Sequence, residues 1–354
     1  MPLSLTHVFN PQPGWYRGDF HCHTHHSDGV LTPAELLALA QSEGLDFFTI
    51  TDHNTTGAYE HFPGSLLIIP GLEVTYKRGH YNVLGVDTAA GAEWLAQVGR
   101  GYVERPAETD TYPTMNDVLR ATAAHGALNS INHPLLVPWA WEFPDTDLRQ
   151  VHCLEIWNDP SWPANQHDNP RALALWTAWL NAGYRHTAIG GSDFHRPGPK
   201  PGEDKPAERL GKPSTYVFAG ELSGQAVLDA VRQRRVYVSM GPLAAFQALA
   251  EGTTYDIGAD LGEWDGQVEL MARVWACPEP AHALLIKNGR AIADTWITGD
   301  GAELHLKDRV YADEPAWYRF DVLTPEGLLL AVTNPIYTGP ARVPTEHLFG
   351  AFEA

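Results

Sequence analysis

The sequence predicts an α/β fold: a barrel of strands alternating with helices, followed by a small all-β appendage. Three observations carry this reading. Capped helical stretches alternate with short apolar strands through the first two thirds of the chain. Histidines and carboxylates gather where those strands end. From about Pro242 the helical periodicity gives way to short alternating stretches broken by Gly, Asp, Asn and Pro.

The helices announce themselves by their ends. "TPAELLALAQSEG" opens on Thr32 with Pro33 at the first helical position and Glu35 three residues after the cap, a capping box closed by Gly44. "DFFTITDH" follows as a strand. Helix "TMNDVLRATAAHG" leads into strand "ALNSINHP", "NPRALALWTAWLNAG" into "YRHTAIGGSDFH", and "SGQAVLDAVRQRR" into "VYVSMGP". With "GDFHCH", "SLLIIPGLEVT", "VHCLEIWN" and "STYVFAG", about seven barrel-type strands are expected before residue 220, in a mainly parallel sheet.

The polar residues decide between an open sheet and a barrel. His21 and His23, Asp52 and His53, Glu73, His133, Glu155 and Asn158, and Asp193 and His195 fall at or just past C-terminal strand ends. A barrel brings those ends to one face, where barrel enzymes carry their chemistry, whereas an open sheet strings them along a line. His21 and His23, spaced i, i+2 on an extended segment, project to the same side and can share a cation. Such a pair alone does not make a metal site. Here "TDH", "GLE", "GH", "NHP" and "GSDFH" each add a nitrogen or carboxylate donor, and a set of N and O donors without cysteine suits Zn, Mn or Fe.

Composition narrows the partners. The net charge of −19 argues against a nucleic-acid polymer, because phosphate backbones demand surplus Lys and Arg. It leaves room for a small anionic substrate, since bound cations reverse the field locally. No apolar run reaches the length of a membrane span, and no basic region followed by an apolar core marks a signal peptide. Cys22, Cys153 and Cys277, odd in number and far apart, fit reduced thiols, and a cytoplasmic location is expected. The domain boundary is expected near Met240–Ala245, giving a barrel over 1–242 and a β-sandwich-like domain over 243–354, with hairpin turns at "KNGR" and "PEG".

"DFHCHTHHSDG", "TDH", "GLE", "GHYNVLG", "NHP" and "GSDFH", in that order over roughly residues 17–240, resemble the PHP (polymerase and histidinol phosphatase) superfamily of metal-dependent phosphoesterases. "RQRRVYVSMGP" and "VTNPIYTG" resemble the short branch with a C-terminal β-domain, which includes carbaryl-hydrolase-like enzymes. The resemblance implies a distorted (β/α)7 barrel and two or three divalent ions (Mn, Zn or Fe). It assigns His21, His23, Glu73 and Asp193 to one ion, Glu73, His80 and His133 to a second, and Asp28, His53 and His195 to a third. Many relatives carry histidine where this chain has Asp28, which leaves the third site least defined. The expected reaction is hydrolysis of a small phosphorylated molecule by a hydroxide bridging two ions, whose charge lowers the pKa of water from 15.7 to about 7. Asp193 or His195 would move the proton, with Glu73 completing the catalytic set. A carboxylic ester, carbamate or amide is the alternative substrate at the same centre, and a non-catalytic metal-binding scaffold is the alternative outside catalysis.

Other residues carry two readings each. The segment 196–212 holds Arg196, Lys200, Lys205, Arg209 and Lys212, against 24 Lys and Arg in the whole chain. It is either a lid contacting phosphate or a solvated loop balanced by Glu203, Asp204 and Glu208. Arg196, Lys212, Arg78 and His26 are the candidate substrate contacts, with Arg17 a further anion contact beside a ligand motif. Glu155 and Asn158 either touch substrate or ligand, or satisfy backbone amides. Trp139, Trp141, Trp157 and Trp162 either wall the pocket or pack. Asp52 is expected to orient a ligand imidazole, Asp19 to support the site without touching a cation, and Cys22 to be a buried spacer. His125, His152, His186, His282, His305 and His347 are expected to be structural or solvated.

Overall fold

In the computed structural model the described residues are 4–61, 65–86, 114–199, 205–278 and 280–352. They form a mixed α/β structure with few helices and many strands. Strands β1 (Gly14–Asp19), β2 (Phe47–Phe48) and β3 (Leu67–Ile68) run parallel. Strands β6 (Leu128–Ile131), β7 (Cys153–Asn158) and β8 (Thr187–Gly191) form a second parallel set. Between them lies an antiparallel hairpin, β4 (Gly71–Tyr76) and β5 (Gly79–Leu84), with β5 pairing β6.

The expected closed barrel is not what the hydrogen bonds draw. The two parallel sets belong to different sheets, and among the described residues no ladder closes them into a ring. Single bridges at Cys22–Phe194 and His53–Glu73 join them instead. Pro70 shows one reason: it has no N–H to donate, so the run read as one strand splits into β3 and β4. The parallel expectation also fails after β8. Strand β9 (Ser214–Ala219) pairs antiparallel with β1, and β10 (Val236–Ser239) antiparallel with β9.

The helix signals were reliable where local chemistry sets the ends. Helix α1 (Pro33–Ser42) starts at the Thr32–Glu35 capping box. Helix α2 (Met115–Ala124) starts at a Thr114–Asp117 box, and α4 (Gly224–Arg232) is capped by Ser223. Helix α3 (Asn165–Ala182) begins earlier than expected and contains Pro170 beyond its first turn, where the ring removes the N–H that would reach Gln166 O. Leu36, Leu37 and Ala40 of α1 pack with Phe48 and Ile50, and Leu175, Trp176 and Trp179 of α3 share a core with Leu154 and Ile156 of β7. No helix among the described residues is long and apolar enough to cross a membrane.

Beyond β10 the described chain is strands and one short 3-10 turn. Strands β11 (Leu243–Ala250), β12 (Thr253–Asp256), β13 (Gly266–Trp275) and β16 (Gly301–Val310) make a four-stranded sheet in the order β12-β11-β13-β16. It shares a core (Phe246, Leu270 and Val274 with Leu285, Phe320 and Val322) with β14 (Ala281–Lys287) and β17 (Ala316–Leu323) of the larger sheet. The turn between β14 and β15 (Arg290–Ile297) uses Asn288 at φ 49° and Gly289 at φ 81°, the left-handed pair that a two-residue hairpin requires. Strand β18 (Leu329–Thr333) pairs β17 and also β10, so one hydrogen-bonded sheet runs β15-β14-β17-β18-β10-β9-β1-β2-β3, with β19 (Ile336–Thr338) beside β17. Asn334 extends the tie: its Oδ1 accepts from Ala188 N at 2.9 Å, and its Nδ2 donates to Ala188 O (2.9 Å) and Val236 O (3.0 Å).

Two outcomes follow from this packing. An added Cβ at Gly191 would stand 2.4 Å from His21 Cβ and 2.8 Å from Glu155 Oε1. Gly191→Ala should therefore force β8 away from the segment after β1 and cost about 1–3 kcal/mol, read as a lowered urea midpoint. His186 is buried, donates from Nε2 to Leu148 O at 2.8 Å, and has its pKa lowered by burial from 6.5 to about 4. The unfolded chain then takes the proton first, so this stability is complete above pH 6.5 and is lost as pH falls toward 4. His186→Gln should shrink the loss of unfolding free energy between pH 7 and 5 by about 2 kcal/mol.

Candidate metal centre

Every residue expected as a ligand lies in one cluster around the buried carboxylate of Glu73, in mid-β4. Glu73 Oε1 is 3.3 Å from His21 Nε2, 3.2 Å from His80 Nδ1 and 3.4 Å from His133 Nε2. Its Oε2 is 3.5 Å from His23 Nε2 and 2.9 Å from His53 Nδ1. Asp193 Oδ1 is 3.2 Å from His21 Nε2 and 3.0 Å from His23 Nε2. Asp28, with 55% of its side chain exposed, is 3.5 Å from His53 Nε2 and 3.3 Å from His195 Nε2.

Four groups of donors gather within 4.8 Å: His21, His23 and Glu73; His21, His133 and Asp193; His53, Glu73 and His80; and His23, Asp28, His53 and His195. These overlap the three expected sets without reproducing their borders. His53 faces both Glu73 and Asp28, and His23 faces both Asp193 and the Asp28 group.

The backbone explains why these side chains converge. β1 ends at Asp19, and an extended segment carries His21 and His23 onward, held by His23 N donating to Phe194 O at 2.8 Å. Cys22, between them, is turned into the core as expected. Thr51 N donates to Cys22 O, and Glu73 N to Thr51 O. Asp193 (φ 49°) and His133 (φ 26°) sit in left-handed conformations that non-glycine residues rarely adopt, local strain at two of the inward-pointing donors.

A second layer fixes the ring orientations. Glu155 accepts from His21 Nδ1 at 2.9 Å, which directs Nε2 at Glu73 and Asp193, and its other oxygen accepts from His133 N (2.8 Å) and Asn158 Nδ2 (3.0 Å). Glu155 thus both orients a ligand imidazole and satisfies a backbone amide. Asn132 Nδ2 donates to Glu73 Oε1 at 2.8 Å. The "NHP" motif contained that residue, but only its histidine was singled out. Asp52 corrects an expectation: it accepts from Thr24 N, Thr24 Oγ1 and Ser27 Oγ, so it braces the turn after His23 and does not orient an imidazole directly. Asp19 accepts from His21 N, Ser192 and Gly211 N, tying the segment after β1 to that after β8.

Burial works against charge throughout this cluster, and mutual attraction overrides it at most sites. The carboxylates of Asp193, Glu155 and Glu73 outweigh burial at His21 and hold its pKa well above the usual range. Glu73 and Asp193 are held well below theirs despite burial, Glu73 chiefly by His21 and His80 and Asp193 chiefly by His21 and its bond from His23. Burial is likewise outweighed at His53, raised to about 10 by Glu73 and Asp28, and at His195, raised to about 9 by Asp28 and Asp193. At His23 burial wins, reinforced by His195 and His53, and its pKa falls to about 4. The carboxylates of Glu73 and Asp193 are thereby favoured in their ionised form.

The donors fit divalent ions on a further observation. His21 Nε2, Glu73 Oε2 and His133 Nδ1 are sealed from solvent and make no hydrogen bond among the described residues, although the first two lie inside the cluster. His53 Nδ1 is near Glu73 Oε2 but bonds Thr75 Oγ1 instead. Buried polar atoms without partners are costly unless something else satisfies them.

A cavity of about 240 Å³ opens onto the cluster. Beyond the ligands its wall includes Leu136, Trp139, Asn158, Asp159, Trp162, Arg196, Lys205 and Glu208. Trp139 and Trp162 meet edge to face at 5.7 Å, whereas Trp141 and Trp157 are packed in the core. Of the four candidate substrate contacts, only Arg196 lines this cavity. Arg78 lies over the Phe143 ring and bonds Glu142 O. Lys212 donates to Met240 O at 2.7 Å, and His26 lies exposed against His25. Arg17 bonds Ser214 and Glu43 O and is structural. Proximity in sequence to a ligand motif misled in each case, because the side chain leaves the motif's face. Glu208 accepts from His195 N and Arg196 N and pairs with Lys205 at 3.0 Å, so the stretch after Asp193 is anchored. Lys200, Glu203 and Asp204 lie outside the described residues.

No protein-family model and no curated protein sequence matches the chain. Among solved structures, the chain is similar to a two-domain protein from Bacteroides vulgatus containing a predicted PHP-like metal-dependent phosphoesterase. The identity is 18%, the TM-score 0.46, and the match covers 93% of this chain and 98% of that one. An amidohydrolase from Chromobacterium violaceum, solved with sulfate and no metal, matches at 17% identity and TM-score 0.36 over 51% of this chain and 88% of its own. A predicted metal-dependent phosphoesterase from Bifidobacterium adolescentis matches at 19% identity and TM-score 0.35 over 55% and 91%.

The orienting role of Glu155 has a direct readout. Glu155→Gln removes the negative charge behind His21 while keeping an acceptor, and should weaken divalent-ion binding about 10- to 100-fold in chelator competition.

Proposed function

We propose that the chain is a PHP-type metal-dependent hydrolase acting on a small phosphate ester. The observation that carries the reading is Glu73: one buried carboxylate with histidine nitrogens on both oxygens, beside a cavity of small-molecule size. In this reading His21, His23, Glu73 and Asp193 hold one ion, Glu73, His80 and His133 another, and Asp28, His53 and His195 a third, with Mn, Zn or Fe matching the donor set. Such ions supply Lewis acidity toward a phosphoryl oxygen and acidify water.

The chain's own groups do the remaining work. Glu155 and Asn132 hold His21 and Glu73 in register. Arg196 and Lys205 on the cavity wall offer cations to a phosphate in an otherwise acidic protein. His195 Nδ1 bonds Asp193 O at 2.6 Å, which leaves Nε2 on the cavity side. Asp193, whose Oδ2 stands apart from the Oδ1 that faces His21 and His23, is the candidate acceptor for the proton of the attacking water. The barrel-like part over 1–242 carries the site, and 243–354 supports it. The indole edges of Trp139 and Trp162 with Leu136 favour a second reading, hydrolysis of a carboxylic ester or carbamate bearing an apolar group.

A panel of phosphomonoesters, nucleotide bisphosphates and aryl carbamates, each with Mn and with Zn, separates these readings. Chelator-stripped protein should be inactive and recover on adding metal, and Glu73→Ala should lower kcat/KM by on the order of 10³-fold or more. Full turnover by Glu73→Ala and His21→Ala would remove the metal mechanism. Turnover of carbamates alone would replace the phosphoester reading with the second.

A further inference from the structure

One carboxyl group on the cavity wall takes no part in holding the cluster. Asp159 follows the end of β7, is 7% exposed, and lines the same cavity as Glu73, Asp193 and His195. Its Oδ1 accepts from Ser161 N at 3.0 Å and from Ser161 Oγ at 2.5 Å. Its main chain is fixed as well, Asp159 O accepting from Asn165 Nδ2 at 3.0 Å and Trp162 N at 3.1 Å. Oδ2 has no hydrogen-bond partner among the described residues and is not sealed from solvent, on a residue that lines the cavity. One oxygen is clamped and the other is offered to whatever enters.

We propose that Asp159 is a catalytic residue, the acid that protonates the leaving oxygen as the ester bond breaks. The proposal rests on the phosphohydrolase reading and adds a residue that the sequence did not single out. The water oxygen bonds to phosphorus, and the P–O bond to the leaving group breaks with its electron pair remaining on the leaving oxygen. That oxygen takes the proton from Asp159 Oδ2, and the product is a neutral alcohol. The water's own proton goes to Asp193, and the Asp159 carboxylate is reprotonated from solvent. Attack and departure thus draw on different groups lining one small cavity.

The surroundings favour a protonated carboxyl. Burial is the leading cause that lifts Asp159 to about 6, a cause that an ion at Asp193 does not remove. The carboxylates of Asp193 and Glu208 add to it against the Ser161 hydrogen bonds. The other charged and titratable groups facing the cavity are Lys205, paired with Glu208, Arg196, and the cluster's own Asp28, His53, Glu73, His80, His133 and His195.

Leaving-group dependence tests this on the metal-loaded full chain. Asp159→Asn keeps the Ser161 hydrogen bonds but has no proton to give. It should lower kcat on an alkyl phosphate roughly 10²- to 10⁴-fold while changing p-nitrophenyl phosphate less than about 10-fold, because nitrophenolate leaves unprotonated. The wild-type alkyl-ester rate should fall as pH rises through about 6, and the variant should lack that limb. Ser161→Ala, which removes the hydroxyl donor to Oδ1 and keeps the backbone one, should show the same substrate bias more weakly, and metal content should be unchanged in both variants. Equal losses on the two esters, or no loss on either, overturn the role of Asp159 while leaving the hydrolase reading standing. A wild-type chain that hydrolyses neither ester with Mn or Zn overturns both.

Discussion

The carboxylate of Glu73 is the constraint around which the rest of the first two thirds is arranged. A buried ionised carboxylate is expensive to desolvate, and it persists only where opposite charge or strong donors surround it. Here His21, His53, His80 and His133 come within contact distance, and Asn132 donates a hydrogen bond. Those side chains come from the ends or beginnings of several strands in two sheets. The two sheets are joined near this point by single backbone bridges, one of which, His53–Glu73, includes the carboxylate's own residue, and by side-chain ties such as Ser192 to Asp19.

That arrangement explains which parts of the site were legible in the sequence. Spacing and strand-end position pointed to His21, His23, His53, Glu73, His133, Asp193 and His195, while Asp28, in the turn after His23, and the division into ion sites came from the resemblance. Roles set by long-range contact were not legible. Glu155 lies far from His21 in sequence, and only the pairing of β7 with β8 and the approach of Gly191 bring them together. Asp52 was adjacent to a ligand, yet its side chain turns to Thr24 and Ser27. Arg78 and Lys212 failed for the same reason: adjacency along the chain says little about which way a long side chain leaves it.

The fold divides along the same line. Caps and turns are written locally, so α1, α2, α4 and the Asn288–Gly289 hairpin appear where residues required them. Strand direction is not local. Apolar runs flanked by turn residues look alike whether they pair parallel or antiparallel, so β9, β10 and the β4–β5 hairpin escaped the expectation of a parallel sheet. Barrel closure was inferred from convergence of polar ends, and the convergence exists without a continuous ladder.

The ties made by β18 and Asn334 bear on what kind of unit the C-terminal third is. A change of sequence texture near residue 242 suggests a module that could be cut away, but the backbone there is not organised as a seam. Removing everything after it would strip β10 of β18, one of its two neighbours, and leave Ala188 N and O, in the strand that leads to Asp193, without their side-chain partner. The first two thirds would then carry a raw sheet edge and an unpaired N–H and C=O in their interior, so their truncation or transplantation as a free-standing unit is chemically disfavoured.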